Sequence, residues 1–192
     1  MPRAPDPLRA IAFFDGQNLF RAAKEAFGYG YPNYHPVRLA EAVCALRKWK
    51  LQQVRFYTGI PDDQSDPRRA FWDSKLAHLG RLGVHTYKRE TRYGREKGID
   101  LRIGLDAVRL ALDRTYDVAV FFSQDQDLTE LVDDVLRIAR DQRRFIKLAS
   151  AFPVSSNSEN RRGIDRTDWI RIGREMYDAC LDTRDYRPKG KP

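Results

Sequence analysis

The chain has 192 residues, 42% of them hydrophobic and 32% charged, which suits one globular domain with a full core. The 35 Lys and Arg residues outnumber the 27 Asp and Glu residues, which gives a net charge of +8. This charge favours a polyanionic partner, although a basic surface could also serve only to keep the protein in solution. No signal-peptide core, membrane-length apolar run or Cys/His cluster is present, so we expect a cytoplasmic protein without structural zinc.

Predicted strands and helices alternate along the chain. After a loose arm, the apolar run Arg9–Phe14 is typical of a strand buried on both faces. The later predicted elements are, in order, a helix at Asn18–Phe27, a helix from Pro36, a strand at Gln53–Thr58, a helix from Pro67, a strand at Val84–Tyr87, a charged loop at Lys88–Lys97, a helix at Asp100–Leu112, a strand at Asp117–Phe122, a helix at Leu128–Arg140, a strand at Arg144–Ala149 and a helix at Arg174–Leu181.

This alternation predicts an α/β fold with a mostly parallel central sheet of about five strands and helices on both faces. We expect residues 1–192 to form a single domain with a core at about 9–150. Residues 151–181 would be a C-terminal extension, and residues 182–192 a polar, frayed tail.

Four aspartates stand where apolar strands end or a helix begins. Asp15 follows the first strand, Asp125 and Asp127 follow the fourth, and Asp100 opens the helix that leads into the fourth. Right-handed crossovers bring the carboxyl ends of parallel strands to one edge, where such folds bind ligands. Four converging carboxylates would repel one another without a divalent cation. The pattern therefore predicts a site for Mg²⁺ or Mn²⁺, which can activate water and stabilise charge on a phosphate.

Two neutral side chains accompany these acids. Asn18, one helical turn after Asp15, could bind a phosphate oxygen or a water, and Ser123 could hold a carboxylate or a water through its hydroxyl. Each aspartate could instead cap a helix. Caps do not explain why Asp125 and Asp127 come as a pair, nor the run Asp-Gly-Gln-Asn directly after a buried strand.

Asp106 is a fifth acid in the same region. The apolar residues of its helix suggest one stripe facing the core, made of Leu101, Leu105, Val108 and Leu112. At 3.6 residues per turn, Asp106 falls on the opposite side of that stripe. We therefore expect it to be solvated or locally paired.

Three segments resemble motifs of NYN domains, within the PIN-like nuclease superfamily. Asp15-Gly-Gln-Asn18 is similar to D-x-x-N, Lys97-Gly-Ile-Asp100 to K-G-x-D, and the segment from Ser123 to Leu128 to S-G-D-x-D-[FL]. They occur in the family order, and the likeness spans roughly residues 11 to 148. The sequence departs from the family at Gln124, where the motif has Gly, so we expect a differently shaped loop there.

The resemblance implies a PIN-like, Rossmann-like α/β/α fold and cleavage of RNA that depends on Mg²⁺ or Mn²⁺. It also implies the catalytic set, with metal-ligand roles for Asp15, Asp100, Asp125 and Asp127 and a supporting role for Asn18.

Basic and aromatic residues precede Asp100, a composition suited to backbone contact and base stacking with single-stranded RNA. The predicted contacts are Lys88, Arg89, Arg92, Tyr93, Arg95 and Lys97. A second basic stretch follows the fifth strand and begins with Arg161 and Arg162. Nearby acids could instead neutralise both stretches and leave solvated surfaces.

The leading hypothesis is a metal-dependent ribonuclease, most simply an endoribonuclease. The alternative is a catalytically silent RNA- or protein-binding module of the same fold. A phosphatase of the haloacid dehalogenase type would need a second Asp two residues after Asp15, and that position is Gln17. The three histidines lie apart from the acidic motifs, which argues against a histidine base.

Overall fold

Within the residues that this computed structural model describes, 4–91 and 98–187, six parallel strands form one sheet flanked by helices. The strands are β1 (Arg9–Asp15), β2 (Lys50–Pro61), β3 (His85–Thr91), β4 (Val118–Phe122), β5 (Lys147–Pro153) and β6 (Asp168–Ile172). The helices are α1 (Gly16–Phe27), α2 (Pro36–Leu46), α3 (Pro67–Arg81), α4 (Ile99–Leu112), α5 (Thr129–Asp141) and α6 (Arg174–Asp178), and a short 3₁₀ turn at Gln126–Leu128 precedes α5.

The predicted α/β fold is confirmed, but the sheet has six strands rather than five. The additional strand, β6, comes from the segment to which the sequence pattern assigned no strand. Asp168 and Arg171 interrupt its apolar residues, as suits an edge strand with one solvated side. It pairs with β5 from Ala149 opposite Asp168 to Pro153 opposite Ile172.

The strand order is β3-β2-β1-β4-β5-β6, so the order reverses between β1 and β4. Parallel sheets of this order carry a crevice at the reversal, beyond the carboxyl ends of the strands. Phe14 of β1 lies opposite Phe122 of β4, and their rings stack with centroids 3.9 Å apart. This register places Asp15 beside the start of the loop that follows β4.

Two apolar cores cover the two faces of the sheet. One contains residues of α1, α2, α3 and α6, and the other contains residues of α4 and α5. Successive residues of β1 alternate between the cores, with Phe14 in the first and Phe13 in the second. The continuous apolar run in β1 is therefore explained by burial on both faces.

Helix α4 buries a different face from the one predicted. Leu101, Leu105 and Leu112 are 66%, 57% and 54% exposed, whereas Ile103, Ala107 and Ala111 are buried in the second core. Asp106 is only 6% exposed. The prediction of a buried leucine stripe was therefore wrong. Of the two states expected for Asp106, it is not solvated but locally paired, with Arg102 one helical turn away.

The reason is a buried polar network around Asp106. The Tyr57 hydroxyl donates to its Oδ2 at 2.8 Å, and Arg55 donates to the same oxygen at 3.3 Å. Arg102 pairs with the other carboxylate oxygen at 3.1 Å. Because these partners satisfy the carboxylate, α4 can turn it toward the sheet.

The expected frayed tail, residues 182–192, is partly wrong, because Asp182 and Tyr186 pack against α3, while residues 188–192 lie outside the described residues. Tyr186 is 5% exposed, and its hydroxyl donates to Asp182 at 2.8 Å. Asp182 also lies 3.5 Å from the ammonium of Lys75, a buried residue of α3. None of the helices in the described ranges has the length and apolar character needed to cross a bilayer.

Candidate metal centre

Three aspartates meet at the reversal of strand order. Asp15 ends β1, Asp125 lies in the loop after β4, and Asp100 lies in the first turn of α4. Each offers a carboxylate oxygen, and the three oxygens lie within 4.8 Å of one another. Asp15 is buried, while Asp100 and Asp125 are half-buried and open toward solvent. An all-oxygen, anionic donor set of this kind suits a hard divalent cation.

The electrostatics of Asp100 reflect this convergence. Its pKa is raised, first because burial disfavours the charged form and then because the carboxylate of Asp125 lies nearby. The charge of Asp127 also raises this pKa, and the guanidinium of Arg21 lowers it. A cation among the acids would remove the part of this shift that comes from the neighbouring carboxylates.

Asp15 caps a helix in addition to joining the acidic cluster. Its Oδ1 accepts a hydrogen bond from the backbone N–H of Asn18 at 3.0 Å, at the start of α1. Gly16, the first residue of α1, lies so close to β2 that a Cβ atom would be 2.8 Å from the ring of Phe56. A residue without a side chain is therefore needed where α1 directly follows β1. The capping interpretation and the metal-site interpretation of Asp15 are therefore compatible.

The loop after β4 is held in shape by its own polar groups. Ser123 Oγ accepts from the backbone N–H of Asp125 at 3.1 Å, and Asp125 Oδ1 accepts from that of Asp127 at 3.1 Å. Ser123 thus orients the segment that carries the acids. Asp127 is exposed and lies outside the group of three close carboxylates, although its charge acts on Asp100.

Asn18 and Gln124 connect the two sides of the centre. The carbonyl oxygen of Asn18 accepts from the backbone N–H of Gln124 at 2.8 Å. The Gln124 side chain donates to the carbonyl oxygens of Asn160 at 3.2 Å and Arg162 at 2.8 Å. Sequence reasoning missed Gln124 as a structural anchor, and its departure from the family Gly was the signal.

Arg21 is a second residue that sequence reasoning missed. It lies on α1, one helical turn after Asn18, and is exposed while its charge acts on Asp100. The spacing of Asn18 and Arg21 on one helix could have indicated that both face the centre.

The predicted nucleic-acid contacts separate into three groups, which are Lys88, Arg89 and the four residues that follow β3 in the sequence. Lys88 and Arg89 lie in β3 rather than in a loop, and Lys88 is paired with Asp73 at 2.5 Å. The Arg89 guanidinium lies against Gly98, the left-handed residue (φ 83°) that precedes α4 and therefore Asp100. The third group lies outside the described residues: Arg92, Tyr93, Arg95 and Lys97.

The second basic stretch is engaged within the chain. Arg161 donates to the carbonyl oxygens of Ser158 at 3.0 Å and Ser156 at 2.7 Å. Arg162 pairs with Asp165 at 2.9 Å and remains 67% exposed. Gln124, the residue before Asp125, donates to the backbone carbonyl of Arg162, which ties this stretch to the loop after β4.

Comparison with known proteins agrees with this arrangement. Residues 9–162 match the family model of the NYN domain. The chain belongs to the NYN domain family. This family is part of the PIN-like nuclease superfamily, and the matched range contains all three clustered aspartates.

The fold of this chain is similar to that of a solved structure, a protein of unknown function from Vibrio parahaemolyticus. The two chains are 19% identical, with a TM-score of 0.55, over 88% of this chain and 96% of the other. That level of identity supports the fold alone. No curated protein matches the sequence.

Proposed function

We propose that this NYN domain is a ribonuclease that hydrolyses phosphodiester bonds of RNA and depends on Mg²⁺ or Mn²⁺. The observation that carries the proposal is the convergence of Asp15, Asp100 and Asp125 at the strand reversal, with carboxylate oxygens within 4.8 Å of one another. Membership in a family of nucleases supplies the class of reaction.

The chain's own residues divide the work of such a site. Asp15, Asp100 and Asp125 would hold the cation, and the exposed Asp127 would reach it from the solvent side. When bound, the cation supplies Lewis-acid stabilisation of charge on phosphate and activates water. The side-chain oxygen of Asn18 accepts a hydrogen bond from the backbone N–H of Gln124. We therefore assign the side-chain NH₂ group of Asn18 as a donor to a phosphate oxygen.

Positive charge near the acids supports a polyanionic substrate. Arg21 acts on Asp100 from α1, and Arg89 lies against Gly98 at the start of α4. Segment 92–97 connects β3 to this point and carries four of the predicted RNA contacts. These residues would hold a single strand across the acidic centre, and the net charge of +8 of the whole chain favours the same polyanionic partner.

Metal binding and RNA cleavage test the proposal together. We would measure Mn²⁺ affinity by calorimetry and cleavage of end-labelled RNAs, with Mn²⁺ and with EDTA, for the wild type, Asp15→Asn and Asp125→Asn. Both variants should lose more Mn²⁺ affinity than the roughly 10- to 100-fold expected when a group that only orients a metal ligand is changed. RNA cleavage should be lost as well. Asp113→Asn, an exposed acid at the far end of α4, should match the wild type.

Two outcomes would count against the proposal. Folded Asp125→Asn protein that cleaves RNA with undiminished metal dependence would remove Asp125 from the site. Wild-type protein that binds RNA but neither binds Mn²⁺ nor cleaves would favour the alternative, a catalytically silent binding module.

A further inference from the structure

A groove of about 770 Å³ opens beside the candidate metal centre. Its walls come from α1, the loop before α2, the end of β2 and the start of α3. Gln17, two residues after Asp15, and Arg21, whose charge acts on Asp100, both line it. One end of the groove therefore adjoins the acids, and the proposed mechanism leaves the groove unused.

Aromatic side chains dominate the apolar part of the lining. Phe20 comes from α1, Tyr31 from the loop before α2, and Phe71 from α3. Tyr31 is 61% exposed, so solvent reaches its side chain where it forms part of the groove wall. A flat aromatic ring accessible to solvent offers a stacking surface that accepts any nucleobase.

The charges along the groove favour a base over a phosphate. Arg21 lies on the helix that adjoins the metal centre, whereas Asp62 and Asp63 line the groove from the loop after β2. The two other arginines of the lining are already paired with carboxylates, Arg68 with Asp66 at 2.6 Å and Arg187 with Asp185 at 2.7 Å. Carboxylates repel phosphate but accept hydrogen bonds from the amino and imino groups of bases. The volume lies within the range of pockets that hold ligands of this size.

We propose that this groove is a subsite for the nucleobase of a nucleotide next to the phosphate held at the acidic centre, with Tyr31 as a stacking platform. The proposal rests on the proposed function, because the neighbouring centre must take the RNA backbone. It adds recognition of one base position, which the acids themselves cannot provide.

Binding of abasic oligonucleotides tests the subsite. Single-stranded RNAs, each lacking one base at a successive position, would be titrated against the protein by fluorescence anisotropy in Ca²⁺, a hard cation that takes oxygen ligands, and gels would verify that the RNA stays intact. For the wild type, one abasic position should weaken binding by roughly 5- to 100-fold, the contribution of one base–aromatic stack. In Tyr31→Leu, intact RNA should bind correspondingly more weakly and that same abasic position should cost nothing further.

Tyr31→Phe is the matched control, because it keeps the ring and should behave as the wild type. Tyr31 is exposed, and circular dichroism would verify that both variants fold. A Tyr31→Leu variant with unchanged affinity, an abasic penalty that persists in it, or wild-type protein that does not bind RNA would overturn the subsite. Cleavage with Mn²⁺ reports separately on the nuclease: coupling between Tyr31 and one base without cleavage would reject the nuclease and keep the subsite.

Discussion

The backbone N–H of Gln124 donates a hydrogen bond to the side-chain oxygen of Asn18 at 2.8 Å. This bond joins the first turn of α1 to the loop after β4, across the point where strand order reverses. Asp15 lies three residues before Asn18, and Asp125 directly follows Gln124. The relative position of these two carboxylates therefore depends on a neutral amide between them.

Asn18→Ala should weaken both the fold and the metal site. It leaves the N–H of Gln124, a residue only 7% exposed, without its acceptor, at a cost of about 1–3 kcal/mol in the free energy of unfolding. Mn²⁺ affinity should fall roughly 10- to 100-fold, as for other groups that orient ligands. Urea unfolding and calorimetry measure the two effects. Wild-type Mn²⁺ affinity in Asn18→Ala would contradict the positioning role.

Gln124→Gly, which restores the family residue, should destabilise this chain. It removes the bonds to the carbonyl oxygens of Asn160 and Arg162, an expected loss of about 1–3 kcal/mol, and backbone amides in residues 160–163 should exchange hydrogen faster. Gln124→Glu should be worse, since it aims an oxygen at two carbonyl oxygens. A neutral effect of Gln124→Gly would show that the loop needs no anchor.

Asp106→Ala should destabilise the protein by about 1–3 kcal/mol, because it leaves the buried Tyr57 hydroxyl and the half-buried Arg55 guanidinium without Asp106 as an acceptor. Mn²⁺ affinity should stay near the wild-type value, since Asp106 is not among the clustered aspartates. Urea denaturation and calorimetry give both quantities. A stability change below about 0.5 kcal/mol is the result expected of a solvated acid and would refute the buried network.

Truncation of two apolar residues of α4 should change the stability of the protein by very different amounts. Ile103→Ala, at a site 1% exposed, should cost about 2–5 kcal/mol through lost burial and a residual cavity. Leu105→Ala, at a site 57% exposed, should change stability by no more than about 0.5 kcal/mol. Thermal unfolding of the pair decides which face of α4 is buried, and equal losses would contradict the structure.

Lys75 should make stability rise with pH in the alkaline range. Burial lowers its pKa from 10.5 to about 8, although Asp182 opposes the shift. Between these values the unfolded chain binds more protons than the folded one, so raising the pH favours the folded state. The gain of the wild type relative to Lys75→Met should be on the order of 1–3 kcal/mol in urea unfolding at pH 7.5 to 9.5, because the buried Cys44, whose pKa is raised, acts in the opposite direction in both proteins. In Lys75→Met this rise should disappear, and a rise that persists would assign it to other groups.

The sequence by itself determined the alternation of strands and helices and the aspartates that belong to the site. Continuous apolar runs such as β1 identify strands buried on both faces, and parallel strands bring their carboxyl ends to one edge. Asp15, Asp100, Asp125 and Asp127 were therefore expected to converge before any contact was known. The carboxylates of the first three do lie together, whereas Asp127 lies outside this group.

Only the tertiary structure decided which face of α4 is buried, how the loop after β4 is anchored and where β6 lies. The sequence of α4 offers two apolar stripes, and the choice depends on Tyr57 and Arg55, which reach Asp106 from a distant strand. Gln124 likewise finds its acceptors in residues 160–162, far along the chain. Such pairings are set by three-dimensional packing and polar satisfaction, and local periodicity carries no information about them.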